Sequence, residues 1–415
     1  MIQQDRLWNS IQTLGEIGER DDGAMMRVTG SDADKRARDT LVDWFEDAGL
    51  TVTVDSVGNI VARREGRTDA APIVTGSHVD TVPNGGRFDG VVGVLGPLEI
   101  ARYWDDAGVE TDRPVEVVVF TEEEGTRFGT GLLGSLVASG KLSLEDALEL
   151  EDDDGTTLQA TLERIGYHGD GEFELADAAG FVEMHVEQGP LLDRSGSTVG
   201  IVEAIAGITH HSITFEGEAD HAGNTPMDMR RDAFMGAAEF ALSLESLVTE
   251  TSESTVGTVG KVSVAPNGTN VIPETARLGV DVRDTDGDRL HDVVETLRER
   301  TADMTSRRNL SVDWETHLDI SPSVMNADIR RELIAATERC DVDFLELRSG
   351  AGHDAMNAQA VTPTGMLFVP SEDGISHSPR EYTRPADLYR GTKVLESALR
   401  ELTSVQSADS SPTVD

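Results

Sequence analysis

Residues able to do chemistry gather in a few short stretches of the 415-residue chain. One runs Gly76-Ser77-His78-Val79-Asp80-Thr81-Val82 and continues into Gly85-Gly86-Arg87-Phe88-Asp89-Gly90. His78 and Asp80 stand two apart at the end of an apolar run, so an extended backbone points both side chains the same way. An imidazole that binds a metal needs its second nitrogen held by an acceptor, and Asp80 is placed to supply one. Asp89 follows a glycine-rich loop where a helix opens, and its carboxylate can lean back towards His78. A polar turn with an ordinary capping Asp is the plainer reading of this stretch alone.

A second stretch, Thr121-Glu122-Glu123-Glu124-Gly125, directly follows the apolar run Val115 to Phe120. Carboxylates crowded at the mouth of a sheet repel unless a cation or a shared proton offsets them. One metal ligand and one general base would resolve that conflict; an exposed acidic loop is the alternative. A third stretch is Val182-Glu183-Met184-His185-Val186-Glu187-Gln188, and a fourth is Phe368-Val369-Pro370-Ser371 with Gly374-Ile375-Ser376-His377. Of ten histidines, His78, His185 and His377 each follow a β-rich run. His168, His210, His211, His291 and His317 lack that context and read as surface or structural residues. Three imidazoles with Asp89 and Glu124 form an N/O donor set suited to zinc, manganese or cobalt.

The elements that must position these groups alternate. Asp34 to Ala48 has helical apolar spacing and ends at Gly49. Thr51 to Arg64 alternates like a hairpin about Gly58-Asn59. Ile73 to Ser77 and Val115 to Phe120 are short β-branched runs of the kind buried on both faces of a sheet, with a helix, Gly90 to Trp104, between them. The pattern predicts an α/β domain with a largely parallel sheet, whose sites form at strand ends. Leu144 to Gly155 is an acidic run, read as a solvated helix face and loop. From Gly207 the style changes to a strand (Ser212 to Glu216), a helix after Pro226 and two strands (Thr258 to Ala265, Ala276 to Arg283). A helix (Arg289 to Arg307) and a strand (Val312 to His317) complete an α+β unit of ordinary domain size. The expected plan is a catalytic domain at 1–206 and 321–402, interrupted by a small domain at 207–320. The Ser-, Asp- and Thr-rich end, 403–415, reads as a disordered tail.

Acidic residues outnumber basic ones by 77 to 35, giving a formal charge of -42. The only lysines are Lys35, Lys141, Lys261 and Lys393. So acidic and Lys-poor a chain predicts adaptation to high salt, where counterions screen self-repulsion. It argues against nucleic acid or anionic membranes as partners, since both need clustered basic residues. Cys340 is the sole cysteine, which excludes an internal disulfide. The polar start lacks the apolar core of a signal peptide, and no stretch approaches the roughly 18 apolar residues of a membrane span. A cytoplasmic protein is expected.

The segments GSHVDTV, GGRFDGVVGVL, EEEGTRFG, HVEQGPLL, ADHAGNTPMDMRRDA, NGTNVIPE, SGAGHDAM and FVPSEDGISHSPREY occur in this order from Gly76 to Tyr382. Together they resemble the carbamoylase and allantoate amidohydrolase branch of the aminoacylase-like dinuclear metallohydrolases. The resemblance covers essentially the whole chain. It implies a zinc-exopeptidase-like α/β catalytic domain with an inserted α+β lid through which two subunits dimerise.

It also implies two divalent ions per subunit, zinc first, with manganese, cobalt or nickel as alternatives. Asp89 would bridge the ions, with His78 and His185 completing one site and Glu124 and His377 the other. Glu123 would be the general base and Asp80 the partner of His78. In the lid, His221 would stabilise the oxyanion, and Asn270 and Arg283 would hold a substrate carboxylate. A partner on the same strand, Asp281 or Asp284, is the alternative for Arg283. Gln188 and the glycines Gly350 and Gly352 would line the pocket. Peptidase relatives usually carry a carboxylate at the position of His185, so His185 with Gln188 points to ureido substrates. The implied activity is hydrolysis of an N-carbamoyl-L-amino acid to the amino acid, ammonia and carbon dioxide. Allantoate amidohydrolase and beta-ureidopropionase are close alternatives, an aminoacylase or dipeptidase a more distant one, and a non-catalytic ligand-binding relative the most distant.

Overall fold

The computed structural model describes residues 1–405. Of the tail expected at 403–415, residues 406–415 lie outside the described residues. Among the described residues the chain divides into two compact units, one formed by Met1–Glu203 with residues 325–405, the other by Ala204–Val324.

The first unit is built on a mixed sheet. Its strands are β1 (Thr51–Val54), β2 (Ile60–Arg64), β3 (Ile73–His78), β4 (Val115–Phe120), β5 (Gly180–Val186) and β6 (Val199–Ile205), which runs into the second unit. The second unit carries β7 (Gly207–Glu216), β8 (Val256–Ala265), β9 (Thr275–Asp284), β10 (Ser311–Ile320) and the two-residue β11 (Ser323–Val324). The chain then returns through β12 (Phe344–Ser349) and β13 (Thr364–Val369). The large sheet has the order β1-β2-β4-β3-β5-β13-β6-β11, with β12 also paired to β6. Its four central strands are parallel, and antiparallel pairing is confined to the flanks.

The central strands carry unbroken apolar runs because helices cover both faces of a parallel sheet. β3, β5 and β13 are buried at every residue. Helices Gln4–Gly15, Val91–Ala107 and Pro385–Leu402 add Leu7, Ile11, Val94, Leu98, Leu395 and Leu399 to the same core. The helix read from Asp34 to Ala48 spans Asp32–Asp47. It starts earlier because the Ser31 side chain accepts a hydrogen bond from the Asp34 N–H, which satisfies a free amide of the first turn. The hairpin read at Thr51 to Arg64 is β1 and β2, paired antiparallel.

The second unit is an antiparallel sheet of order β10-β7-β9-β8. Helices Ala233–Thr251 and Gly287–Arg308 cover one face. On β9 the alternation is strict: Ala276, Leu278, Val280 and Val282 point into that core, while Asp281 and Arg283 lie on the other face. The helix expected directly after Pro226 begins only at Ala233, after a short 3-10 turn at Met227–Met229. The Asp232 side chain sets that start by accepting from the N–H groups of Phe234 and Met235. Among the described residues, no helix is long and apolar enough to cross a membrane.

Candidate metal centre

Strand register brings the chemical stretches together. His78, the last residue of β3, pairs with Phe120, the last residue of β4. His185 on β5 pairs with Phe368 on β13. Four parallel strands therefore end side by side, and the loops that follow carry Glu122 to Glu124, Gln188 and His377. The glycine before the Val91–Ala107 helix is required by space: a Cβ on Gly90 would stand 2.5 Å from the His78 ring, and its φ is +66°. Glu122, Gln188 and His377 also take positive φ, of 54°, 57° and 52°. For residues with a side chain that conformation costs about 1–2 kcal/mol each, and such strain tends to cluster at functional sites.

Asp89 is the centre of the arrangement. Its Oδ1 lies 3.2 Å from His185 Nε2 and 3.8 Å from His78 Nε2. Its Oδ2 lies 3.2 Å from His377 Nε2, which is itself 3.5 Å from Glu124 Oε2. Two candidate cages thus share one carboxylate, His78–Asp89–His185 and Asp89–Glu124–His377, each with ligand atoms within 4.8 Å of one another.

Both buried imidazoles are oriented by main-chain acceptors. His78 Nδ1 is 3.1 Å from the Asp80 carbonyl and His185 Nδ1 is 3.0 Å from the Val186 carbonyl. Donation from Nδ1 leaves each Nε2 with a lone pair on the Asp89 side, and that of His185 accepts from the Gly90 N–H at 3.1 Å. Burial lowers the His78 pKa to about 4, so the ring is a neutral donor.

The carboxylates show the conflict expected of a cation site. Burial and then Glu124 push Glu123 well above the usual range. Burial and then Asp89 raise Glu124 to about 8. Burial opposes ionisation of Asp89 too, yet its hydrogen bond to His377 and the His185 and His78 rings hold it well below the usual carboxylate range. The hydrogen bond to Asp89 in turn raises His377 to about 9. A divalent cation would offset this crowding, and imidazole and carboxylate donors are the set that zinc and its first-row neighbours prefer. The residues present fit such ions.

The neighbouring acids separate by what they touch. Glu122 turns its Oε1 onto the N–H groups of Arg127 (2.7 Å) and Phe128 (2.9 Å), so it closes its own loop. Glu123 Oε2 faces the site, 3.4 Å from His78 Nε2. Asp80 differs in detail from the sequence expectation. Its carboxylate is 3.6 Å from His78 Nδ1 and spends its oxygens on the N–H groups of Glu123 and Glu124, at 3.3 and 3.2 Å. Asp80 thus steers His78 through its carbonyl and the base loop through its side chain. Gln188 donates from Nε2 to Asp89 Oδ2 at 2.8 Å, and its buried Oε1 has no partner among the described residues. Gly350 and Gly352 lie in the loop between β12 and the Ala355–Ala358 helix, the second of them next to the buried His353, in the same unit as the cages.

Sequence reasoning passed over three residues here. His353 is buried with its ring 4.6 Å from that of His185, and burial holds its pKa well below the ordinary value. Ser376 donates from Oγ to Asp89 Oδ2 at 2.6 Å, and Glu381 accepts from the N–H groups of Phe88 and Asp89. Ser376 and Glu381 lie within the segment that holds His377, and His353 within SGAGHDAM, but no local pattern marks the contacts they make.

The remaining expected residues belong to the second unit. His221 and Asn270 are neighbours there: His221 bridges Val271, and the Ala222 N–H donates to the Asn270 carbonyl at 3.0 Å. His221 Nδ1 accepts from the N–H groups of Gly223 and Asn224, which places the neutral ring's proton on exposed Nε2. Arg283 makes a two-pronged ion pair with Asp281, Nε to Oδ1 at 2.9 Å and Nη2 to Oδ2 at 2.8 Å. The same-strand partner weighed from sequence is therefore in place, while Asp284 pairs with Arg289.

Paired imidazole and carboxylate cages at the ends of parallel strands, together with amidohydrolase relatives over nearly the whole chain, define a metal-dependent hydrolase of linear amides. The chain belongs to Peptidase family M20/M25/M40, whose profile it matches over residues 74–401. It is 38% identical to an N-carbamoyl-L-amino-acid amidohydrolase of Pseudomonas sp., covering 97% of this chain and 99% of that protein. It is 34% identical to a ureidoglycolate hydrolase of Oryza sativa subsp. japonica, over 97% of this chain and 85% of that one. The crystal structure of an amidase of the hydantoinase/carbamoylase family from Burkholderia multivorans matches with a TM-score of 0.94 and 40% identity, covering 97% of this chain and 98% of that one.

Proposed function

We propose that this chain hydrolyses N-carbamoyl-L-amino acids with the help of two divalent ions. The observation that carries the two-ion reading is the division of Asp89, one oxygen towards His78 and His185 and the other towards His377. The amidohydrolase relative from Pseudomonas supports the substrate. So does Gln188, whose buried Oε1 lacks a donor that a ureido N–H would supply.

His78 and His185 would hold one ion, Glu124 and His377 the other, with Asp89 between them. Bound ions of this kind supply a water of lowered pKa and polarise the carbonyl that is attacked. Zinc is the ion proposed, with manganese, cobalt or nickel accommodated by the same donors. Glu123 takes the proton of the attacking water, for which its raised pKa suits it, and returns a proton to the leaving nitrogen. Water adds to the carbamoyl carbon, the bond to the amino-acid nitrogen breaks, and the carbamic acid released falls apart into ammonia and carbon dioxide. His221 donates its Nε2–H to the developing oxyanion. Asn270 and Arg283 bind the substrate carboxylate, and Gly350 and Gly352 leave room in the pocket. We place the enzyme in the cytoplasm of a salt-adapted cell, as a homodimer joined through the second unit.

The ureidoglycolate hydrolase relative favours a second reading, a ureido acid of the allantoate type. A panel of carbamoyl-L-amino acids, carbamoyl-β-alanine, allantoate and acetyl-amino acids, assayed for ammonia or amine release in high salt with added metal, separates the readings. Fastest turnover on carbamoyl-L-amino acids is the expected result. Release of amine from acetyl-amino acids alone would sink the proposal.

A further inference from the structure

Glu381 is a carboxylate with 5% exposure that takes no part in either cage. Its Oε2 accepts from the N–H of Phe88 at 2.8 Å and of Asp89 at 3.2 Å. Its Oε1 is 2.9 Å from Ser376 Oγ, and the same hydroxyl stands 2.6 Å from Asp89 Oδ2. Asp89 is therefore gripped at both ends, by its main-chain N–H and by its carboxylate, from one short loop that also carries His377. The fit is tight: a Cβ on Gly86 would lie 2.1 Å from Glu381 Oε2, so that glycine is what admits the carboxylate.

The two cages depend on this grip to different degrees. His78 and His185 sit on β3 and β5, with side chains 1% exposed and Nδ1 atoms fixed by main-chain carbonyls. His377 lies in a loop with its side chain 48% exposed. Its closest polar neighbours are Asp89, Gln188 and Glu124. What keeps the His377 loop in step with the Asp89 loop is the Glu381 and Ser376 bridge, together with the edge contact of Tyr382 on Phe88 and Trp8.

We propose that Glu381 is a positioning residue that locks Asp89 in register with His377 and so sets the affinity of the ion on the His377–Glu124 side. The proposal rests on the two-ion reading above. Its chemistry is geometric: Oε2 accepts from two main-chain N–H groups of the Asp89 loop while Oε1 packs against the Ser376 hydroxyl, and the function requires acceptor oxygen at Oε2 more than net charge. Residues that orient metal ligands typically change affinity by about 10–100-fold when removed.

The test compares wild type, Glu381→Ala, Glu381→Gln, Ser376→Ala and His377→Ala by metal content under graded chelator competition, with cobalt(II) as the spectroscopic probe and circular dichroism as the check on folding. Wild type should bind two equivalents; failure to do so overturns the two-ion reading itself. Glu381→Ala should keep one tightly held ion and hold the other about 10–100-fold more weakly. The visible bands of its retained ion should match those of His377→Ala. Glu381→Gln, whose amide oxygen still accepts from both N–H groups, should restore most of the lost affinity. The Tyr382–Phe88–Trp8 contacts should keep Glu381→Ala folded. Should it unfold nonetheless, Ser376→Ala decides, since it cuts the link to the Asp89 carboxylate while sparing the main-chain bonds. Equal retention of both ions in the folded variants, loss of both together, or a Gln variant as weak as the Ala variant would each overturn the role.

Discussion

Asp89 Oδ2 stands 3.2 Å from His377 Nε2, although the two residues come from loops 288 positions apart in the chain by their numbers, 89 and 377. The other oxygen of the same carboxylate is equally close to His185. One side chain therefore serves both cages, and Asp89→Ala should lose both ions together. Elemental analysis after reconstitution checks this. Retention of a full equivalent would show that Asp89 does not bridge.

Glu123 faces His78, whereas Glu122 is spent on two main-chain N–H groups. Glu123→Gln should keep fold and metal content and lower turnover by roughly 10²–10⁴, the range for losing a general base. Glu122→Ala should instead act on stability, because it removes the acceptor that closes its loop. Near-normal turnover in Glu123→Gln would move the base elsewhere.

Metal uptake should depend on pH with a definite sign. In the metal-free protein the hydrogen bond to Asp89 raises His377 to about 9, and burial raises Glu124 to about 8. Both carry protons at neutral pH, which an ion must displace. His78, lowered to about 4 by burial, has none to lose there. Affinity should rise from pH 6 towards pH 9, more steeply for the His377–Glu124 ion than for the other. Titration calorimetry at pH 7 in buffers of different ionisation enthalpy should show proton release on binding. Binding without proton exchange would contradict these protonation states.

The apolar runs made much of this site legible. Val115 to Phe120 and Ile73 to Ser77 are buried on both faces, so they can only be central strands, and their ends announce where His78 and the glutamates go. β5 and β13 follow the same rule, which is why His185 and His377 could be singled out. What periodicity could not convey is contact across the chain. Nothing local in Ser-Pro-Arg-Glu-Tyr says that Glu381 reaches the amides of Phe88 and Asp89, because that bond depends on β13 lying beside β5. β6, on the far flank, carries no local sign of its place for a like reason: it pairs with β13 only after the chain has turned back across the sheet.

Salt should stabilise the fold. A formal charge of -42 repels itself over a Debye length of about 10 Å at 0.1 M ionic strength and about 3 Å at 1 M. The melting temperature should climb as KCl is raised through that range. A flat profile would mean that the acidic surface is ordinary and carries no adaptation to salt.

Arg283 supplies the sharpest test of the carboxylate-binding role. It lies on the face of β9 that the helices leave uncovered, beside Asp281, and the two form a pair whose side chains are 29% and 27% exposed. A pair so exposed is worth at most about 1 kcal/mol, so if pairing were its whole purpose, Arg283→Lys should leave the kinetics alone. A planar guanidinium that also receives a substrate carboxylate is different, since Lys cannot offer the same fork. Asp281 then acts as the brace that aims the fork. On this reading Arg283→Lys should raise KM and cut kcat/KM by about 10-fold or more, a loss of roughly 1.4 kcal/mol in binding the transition state. Asp281→Ala should show a milder version of the same defect, with metal content normal in both. Steady-state kinetics on a carbamoyl-amino acid and on its amide, which lacks the carboxylate, separates the cases: the variants should lose activity on the acid and change little on the amide. Equal effects on both substrates, or none on either, would remove Arg283 from carboxylate recognition.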